Sequence, residues 1–398
     1  MKNDTVDNLK EKVILFVISP LAAFLYSLQD VKTKSSYFVF FLFCTLFGWM
    51  LIADFEFADA YVYKNQFLQF AVSPDHNMRQ VLSEYFTPDS LEKDIYRYVL
   101  FWLAAKIGGT NYHILFMLAA VFFSYFYLKS MRFVTDNPHF EQGFYGLILL
   151  FLFTYSNCIF NINGFRFWTA SWIGVYAILK ILKDHNFLYL LLLIILPFIH
   201  VSMPLLIIMV ALSWIMRKRM RIVIPLLVSS FFVSVFALKF LELIQPYLPP
   251  VFQGLIWSYT QSTTALDGFE ETGPLYAQIL SFLPFLLLMA MTVLLLVEKN
   301  NFTSQKGKEV LGFYLVFYTI TNILAAIPSG VRFTFIAMPI LVYVWIENYD
   351  VMKKYNMFWY LIPVAFSYRL LYLFRNLMEM TTSIFYMAPL PYQIFYNL

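Results

Sequence analysis

Charge is scarce in this chain. Only 13% of its 398 residues are charged, while 61% are hydrophobic and the mean hydropathy is +0.67. A soluble chain carries roughly 25% charged residues. A soluble fold of this composition would need a dry core larger than its surface could cover. That excludes an ordinary cytosolic enzyme, a disordered chain and a nucleic-acid binder. Excess of one sign is also missing, because 28 basic residues face 24 acidic ones for a net charge of +4. Nothing there calls for an anionic polymer as partner. The 2 cysteines, Cys44 and Cys158, sit inside apolar runs, which argues against a disulfide framework or a thiolate metal site. No Walker loop, acidic DxD-type motif or His/Glu cluster with metal-ligand spacing occurs, so neither ATP hydrolysis nor a bound metal is expected. Fixed-period repeats, low-complexity stretches and a soluble domain are absent as well.

What is present is apolar length and aromatic mass, with 45 Phe and 28 Tyr. Interfacial and lipid-facing positions account for most aromatics, and rings also line sugar-binding cavities. A spanning helix needs about 20 apolar residues. Candidate runs are 12–28, 36–53, 111–128, 143–160, 166–182, 187–216, 222–244, 275–297, 310–327, 332–347 and 357–374. The first follows a polar stretch and ends without a small-residue cleavage motif, so it reads as a retained segment. The expected fold is all-α, a polytopic integral membrane protein of about 11–13 transmembrane helices in one domain spanning 1–398.

Short basic loops set the orientation. Arg217-Lys218-Arg219-Met220-Arg221 is the clearest. The others hold Lys32 and Lys34; Lys129 and Arg132; Lys180 and Lys183; Lys299, Lys306 and Lys308; and Lys353 and Lys354. With these in the cytoplasm, the outward segments are 54–110, 161–165, the region of His200, 245–274, 328–331 and the tail after 375. The N-terminus then falls outside, despite Lys2, Lys10 and Lys12. The apolar run 98–107 is too short to cross, and 90–107 reads as an amphipathic helix on the outer surface. Pro197 and Pro204 flank His200 inside the long run 187–216, which predicts a helical hairpin turning near that histidine.

The outward side collects the remaining charges. Asp54, Glu56, Asp59, Asp75, Arg79, Glu84, Asp89 and Asp94 lie in the loop 54–94. Two glycine-containing turns each place an arginine at a helix start: Asn161-Ile162-Asn163-Gly164-Phe165-Arg166 and Ile327-Pro328-Ser329-Gly330-Val331-Arg332. Arg369 and Arg375 occupy the outer half of the last span. Arginine near a bilayer is costly unless it snorkels, pairs or faces water. Its planar fork also matches phosphate, and a helix start favours anions. The plainer alternatives are snorkelling anchors for the arginines, a wet span end for Asp54 and Glu56, and a satisfied core imidazole for His200. His76, His113, His139 and His185 look like boundary residues.

These residues resemble a known pattern. Asn163-Gly164-Phe165-Arg166-Phe167-Trp168-Thr169-Ala170 is similar to the "N-G-I-R-Q-x-L-A" opening of a span in the EpsG family of Wzy-type bacterial polysaccharide polymerases. The match continues through Lys180-Ile181-Leu182-Lys183 to Pro197-Phe198-Ile199-His200-Val201-Ser202, which resembles the family's "F-H-x-S". Asp59-Ala60-Tyr61-Val62-Tyr63 looks like its "G-x-D-x-x-x-Y", Arg332-Phe333 its late "R-I/F" turn, and Pro391-Tyr392 its "P-Y" ending. Asp94 fits the acidic residue that opens the family's outer-surface helix. The chain departs from the pattern at Phe57, where the family has glycine, at Phe167, where it has glutamine, and in lacking an arginine just upstream of Asp59.

The resemblance implies a GT-C-like architecture and glycosyl transfer on the outer face of the plasma membrane. Undecaprenyl-pyrophosphate-linked glycans would be donor and acceptor, with no metal and no cofactor. Chain-length regulator and flippase proteins would be the protein partners. Arg166 and Arg332 would hold the pyrophosphate, with Arg369 and Arg375 as weaker supports and Asn163 and Tyr63 beside them. His200 or Asp59 would be the base, and Tyr61, Trp257 and Tyr259 would stack on sugars under a closing loop 245–274. Two rivals remain: an O-antigen ligase or related lipid-phosphate-sugar glycosyltransferase, and a lipid-linked glycan flippase. A flippase would line the middle of its spans with charge and show duplicated halves, and neither feature occurs here.

Overall fold

The computed structural model describes residues 7–56, 58–73, 78, 83, 94–155, 157–233, 236, 239, 243, 245–247, 253, 275–325 and 330–397; at 275–279, 281, 369, 372–373 and 376–377 the backbone alone is described. Most of loop 245–274, with Trp257 and Tyr259, lies outside these residues, as do 84–93 and the turn residues 326–329. Secondary structure among the described residues is helical, apart from one antiparallel bridge between Leu51 and Thr381. The chain forms two compact units, Met1–Leu205 with Tyr372–Leu398, and Leu206–Leu371.

The first unit begins with α1 (Leu9–Ile18), α2 (Pro20–Ser27), α3 (Lys34–Trp49), α4 (Asp59–Val72), α5 (Tyr96–Gly108) and α6 (Tyr112–Thr135). It continues with α7 (Phe144–Tyr155), α8 (Phe165–Asp184), α9 (Leu190–Ile195) and the start of α10 (Met203–Met216). The other unit holds α11 (Met220–Val233), α12 (Leu275–Glu298), α13 (Gln305–Ala325), α14 (Val331–Glu347) and α15 (Tyr349–Met352). α16 (Leu361–Met380) leads back to α17 (Ser383–Met387) and α18 (Leu390–Tyr396).

α6 forms because 24 residues run without proline or glycine, and the Asn111 side chain accepts from the His113 N–H at its start. It is long and apolar enough to cross a membrane, and so is the stretch Phe144–Asp184. Val331–Glu347 and Tyr349–Tyr368 are long and apolar enough only together, and they meet at an 82° bend, the geometry of a broken span or a re-entrant loop. α3, α10 and α11 are shorter apolar helices. The protein is an all-α, polytopic membrane protein. The first unit buries Phe47, Phe116, Phe123, Phe153 and Trp172 completely. α3 approaches α6 so closely that a Cβ on Gly48 would stand 2.4 Å from the Phe116 carbonyl oxygen. Small residues allow such backbone contact in membrane bundles.

Two of the apolar runs are interrupted, one where no break was expected and one where a break was. The run 12–28 breaks at Ser19, which is extended (φ −152°) ahead of Pro20, and the Ser19 hydroxyl caps α2. α1 and α2 then pack together. Lys12 is fully buried, and its ammonium donates to Asp30 (2.6 Å), Thr33 (3.1 Å), Ser35 (2.7 Å) and Ser36 (2.9 Å). The first run therefore turns back rather than crossing. It brings Lys12 to the end that also holds Lys32 and Lys34, where a span starting at residue 12 would have put it at the opposite end. A lysine so desolvated needs such partners. The second break falls at 199–202, between a 3-10 turn Leu196–Phe198 and α10, where the hairpin at His200 was expected.

Charges sort by end within each unit. In the first, Lys32 donates to the Phe140 carbonyl at 2.8 Å. Lys129 and Arg132 of α6 share a cavity with Lys180 and Lys183 of α8. In the second, Arg217 and Lys218 pair with Glu309 (3.2 and 3.0 Å), Lys306 with Glu347 (2.9 Å) and Lys354 with Glu298 (2.8 Å). The basic segments around 217, 306 and 354 thus lie at one end of that unit.

Replacing Gly48 with alanine should destabilise the protein by about 1–3 kcal/mol, the usual cost of overpacking. Unfolding of the purified protein in detergent reads this directly. Unchanged stability would contradict the close α3–α6 approach.

Candidate active site

The end of the first unit opposite the basic cavity is built around the start of α8. A 3-10 turn, Ile159–Gly164, precedes it. Asn157 fixes that turn: its side-chain amide donates to the Trp168 carbonyl (3.0 Å), and its own carbonyl accepts from the Trp172 indole (2.8 Å). The turn presents Asn163 to α4. Ala58, at the N-cap of α4, has no side-chain oxygen to cap that helix, and the Asn163 Oδ1 accepts from the Ala60 N–H at 2.7 Å instead. Gly164 makes room for a carboxylate, since a Cβ there would lie 3.1 Å from Oδ2 of Asp59.

Arg166, in the first turn of α8, is held on two sides. Its Nε donates to the Tyr63 hydroxyl at 2.8 Å, and its Nη1 donates to Asp94 Oδ2 in a tight ion pair. The guanidinium carbon also lies 5.1 Å from the Tyr63 ring centre. The Asp94 side chain is 1% exposed and that of Arg166 is 24% exposed. No partner among the described residues takes the Nη2 protons of Arg166. Burial pushes the Tyr63 phenol above its ordinary pKa, with Arg166 pulling against it, so the hydroxyl stays protonated at neutral pH.

Asp94 stands just ahead of α5, whose start favours a carboxylate. Its Oδ1 accepts from the Arg97 N–H at 3.4 Å. Arg97 Nη1 donates to Gln66 of α4 at 2.9 Å, so α4 and α5 are braced against each other beside the site. The next backbone N–H, of Ile95, donates to the Phe198 carbonyl at 2.9 Å. That bond ties the His200 turn to the Asp94 segment, and the His200 ring lies 5.3 Å from Phe167, edge to face. His200 Nδ1 accepts from the Ser202 N–H (3.2 Å) and contacts its hydroxyl (2.8 Å). With Nδ1 accepting, the neutral ring carries its proton on Nε2.

Asp59, Tyr63, Asn163 and Arg166 are therefore neighbours, and the His200 turn adjoins them. Their carboxylates differ. Asp94 is buried and neutralised by Arg166, whereas Asp59 is exposed, with no ion pair among the described residues. Arg332 lies in the first turn of α14, in the other unit. Arg369 lies on α16, and its side chain is outside the described ones. Arg375, also on α16, is exposed and donates to Glu379 at 2.9 Å, one turn along the helix. The Asp94–Arg166 pairing and the Arg97–Gln66 brace were not legible as contacts in the sequence. The signal available for Asp94 was its position immediately ahead of an amphipathic run.

Fold and site define a polytopic membrane protein with a polar centre, bearing carboxylates and a guanidinium, at one end of its helices. The model of the EpsG family matches residues 37–394, and the chain belongs to the EpsG family. Membership carries a polysaccharide-polymerase-type role, a glycosyltransferase-like activity in polysaccharide biosynthesis. Searches of curated proteins and of solved structures give no match.

Arg166→Met should cost more stability than Asp94→Asn. The first leaves a buried carboxylate without its cation, worth about 3–5 kcal/mol. The second leaves a guanidinium that still reaches water. A double-mutant cycle in detergent should show the combined variant more stable than Arg166→Met alone; additive losses would contradict the pair.

Proposed function

We propose that this protein joins undecaprenyl-pyrophosphate-linked repeat units on the outer face of the bacterial plasma membrane, with the lipid pyrophosphate as leaving group. One observation carries the reading: a braced guanidinium and an exposed carboxylate, Asp59, meet at the turn Asn163–Arg166. Transfer from an activated lipid diphosphate needs those two kinds of group. The acceptor hydroxyl loses its proton to Asp59 as its oxygen bonds to the donor's anomeric carbon. The bond from that carbon to the diphosphate oxygen breaks, and the electron pair leaves on the diphosphate. Negative charge then grows at the departing oxygen, where the Nη2 protons of Arg166 stabilise it. A fixed donor costs no reorganisation at that moment. Asp94 and Tyr63 do the fixing.

His200 serves this scheme as a donor through Nε2–H, because Nδ1 is already occupied by Ser202. Asp59 is the base. Arg332 is assigned to the diphosphate as well, with Arg369 and Arg375 as outer supports. The acceptor and donor glycans lie along the aromatic outer segments, among them Tyr61.

The reading is tested in cells by the ladder of polymer lengths. Asp59→Asn should lower polymerisation by about 10²–10⁴-fold, the usual worth of a general base, leaving single repeat units. Asp54→Asn, a nearby exposed carboxylate paired with Lys64 at 2.5 Å, should leave the ladder normal. A normal ladder from Asp59→Asn would contradict the scheme. Single units joined only to preformed acceptors would favour a ligase, and loss of lipid-linked units from the outer face would favour a flippase.

A further inference from the structure

At the far end of α8 from Arg166 lies a cavity of about 160 Å³. Arg166 and Lys183 are separated by 17 positions on one helix, or about 25 Å at 1.5 Å per residue. The cavity is walled by the last turns of α6 and α8. Lys129, Arg132 and Asp136 come from one helix face, at spacings of three and four residues. Tyr176, Lys180 and Lys183 come from the facing one. Four cations thus converge on one hollow whose wall holds a single carboxylate, Asp136. Lys180 is paired with Asp184 at 3.1 Å. No ion pair among the described residues engages Lys129, Arg132 or Lys183.

The basic loop rule accounts for cations at this end, and helix C-termini favour them. Neither accounts for their convergence around a space. What holds the amines in the free protein is weak: Lys180 and Lys183 lie 5.6 and 5.4 Å from the Phe133 ring, and Arg132 lies 4.5 Å from Tyr37. Cation–π contacts at exposed sites are worth about 0.5–1 kcal/mol each. An anion in the hollow would relieve the mutual repulsion.

The surroundings say what sort of anion. On α6, one and two turns back from Lys129, Tyr125 and Phe122 are 50% and 40% exposed. Beside Tyr189, whose ring lies 5.6 Å from Lys180, Leu188 and Leu191 are 73% and 60% exposed. Apolar surface of the kind that meets acyl chains therefore flanks the cations on both sides. Basic pockets between spanning helices hold lipid phosphates.

We propose that the cavity between the ends of α6 and α8 binds a phosphate-bearing anion, supplied by the headgroup of an anionic phospholipid in the leaflet opposite the Asp94–Arg166 site. The bound phosphate bridges α6 to α8 and fixes the depth of α8, whose other end carries Arg166. This inference stands on its own observations and does not depend on the polymerase reading.

The full-length protein, placed in nanodiscs of phosphatidylcholine alone or doped with phosphatidylglycerol, tests it by native mass spectrometry. The wild type should carry phosphatidylglycerol in preference to phosphatidylcholine. Lys129→Gln with Lys183→Gln should weaken that retention by about fivefold per charge removed, while Lys129→Arg with Lys183→Arg keeps it. Both positions are exposed, so the glutamine variant should melt with the wild type in phosphatidylcholine alone. Undiminished phosphatidylglycerol retention by that variant would overturn the site. If inorganic phosphate stabilises the wild type in phosphatidylcholine as much as phosphatidylglycerol does, the headgroup assignment falls and a soluble phosphate is the ligand.

Discussion

The ion pair between Asp94 and Arg166 is the constraint on which the rest of the site depends. A carboxylate 1% exposed cannot stay charged alone at a membrane boundary. Its cation comes from the start of α8, 72 residues along the chain. Meeting that requirement draws together α4 through Tyr63, α5 through the Asp94 segment, and the turn before α8 through Asn163 and Gly164. The Ile95–Phe198 bond then draws in the His200 turn. Breaking such a pair costs more than the pair itself contributes, because the orphaned charge remains buried. The geometry is therefore fixed before any substrate arrives. That is the condition under which a guanidinium stabilises developing charge most effectively.

Scarcity of charge gives the helices of the first unit two different ends. α3, α6 and α8 each run between an end rich in lysine and an end that carries the site. Cations at the first end are explained in part by orientation, and at the second Arg166 is bonded to both Asp94 and Tyr63. The C-terminal tail also closes on the site end. Asn397 donates to the Trp49 carbonyl at 2.8 Å, the Trp49 indole donates to the Gln393 carbonyl at 3.1 Å, and Thr381 bridges to Leu51. Asn111 joins the same cluster through the Asn397 carbonyl.

Much of this was legible in the sequence, for identifiable reasons. Apolar length announced helices, and the run at 111–128 became one, extended to Thr135. Asn163 and Arg166 stood out because polar residues in a turn at a helix start are conspicuous in an apolar chain, whereas Asp59 and Tyr63 were picked out by the resemblance of their segment to the family's pattern. The proline pair around His200 announced a break that is present. Other features were hidden. The turn at Ser19–Pro20 was masked by hydrophobicity on both sides, and the partners of Lys12 lie on a later segment, so the first run read as a crossing. Pairing of Asp94 with Arg166 leaves no periodic trace, because it joins distant segments. Convergence of Lys129, Arg132, Lys180 and Lys183 was hidden for the same reason, although each was visible as a loop charge.

The central claim is that the braced guanidinium of Arg166 and the exposed carboxylate of Asp59 lead the extension of a lipid-linked glycan without any energy source beyond the donor. It is tested most directly with the purified protein in liposomes, given undecaprenyl-pyrophosphate-linked repeat units and no nucleotide, gradient or partner protein. The account predicts a ladder of lengthened lipid-linked glycan and release of undecaprenyl pyrophosphate from the wild type, and neither from Asp59→Asn. Release and lengthening at undiminished rate in that variant, or no lengthening by the well-folded wild type, would contradict it.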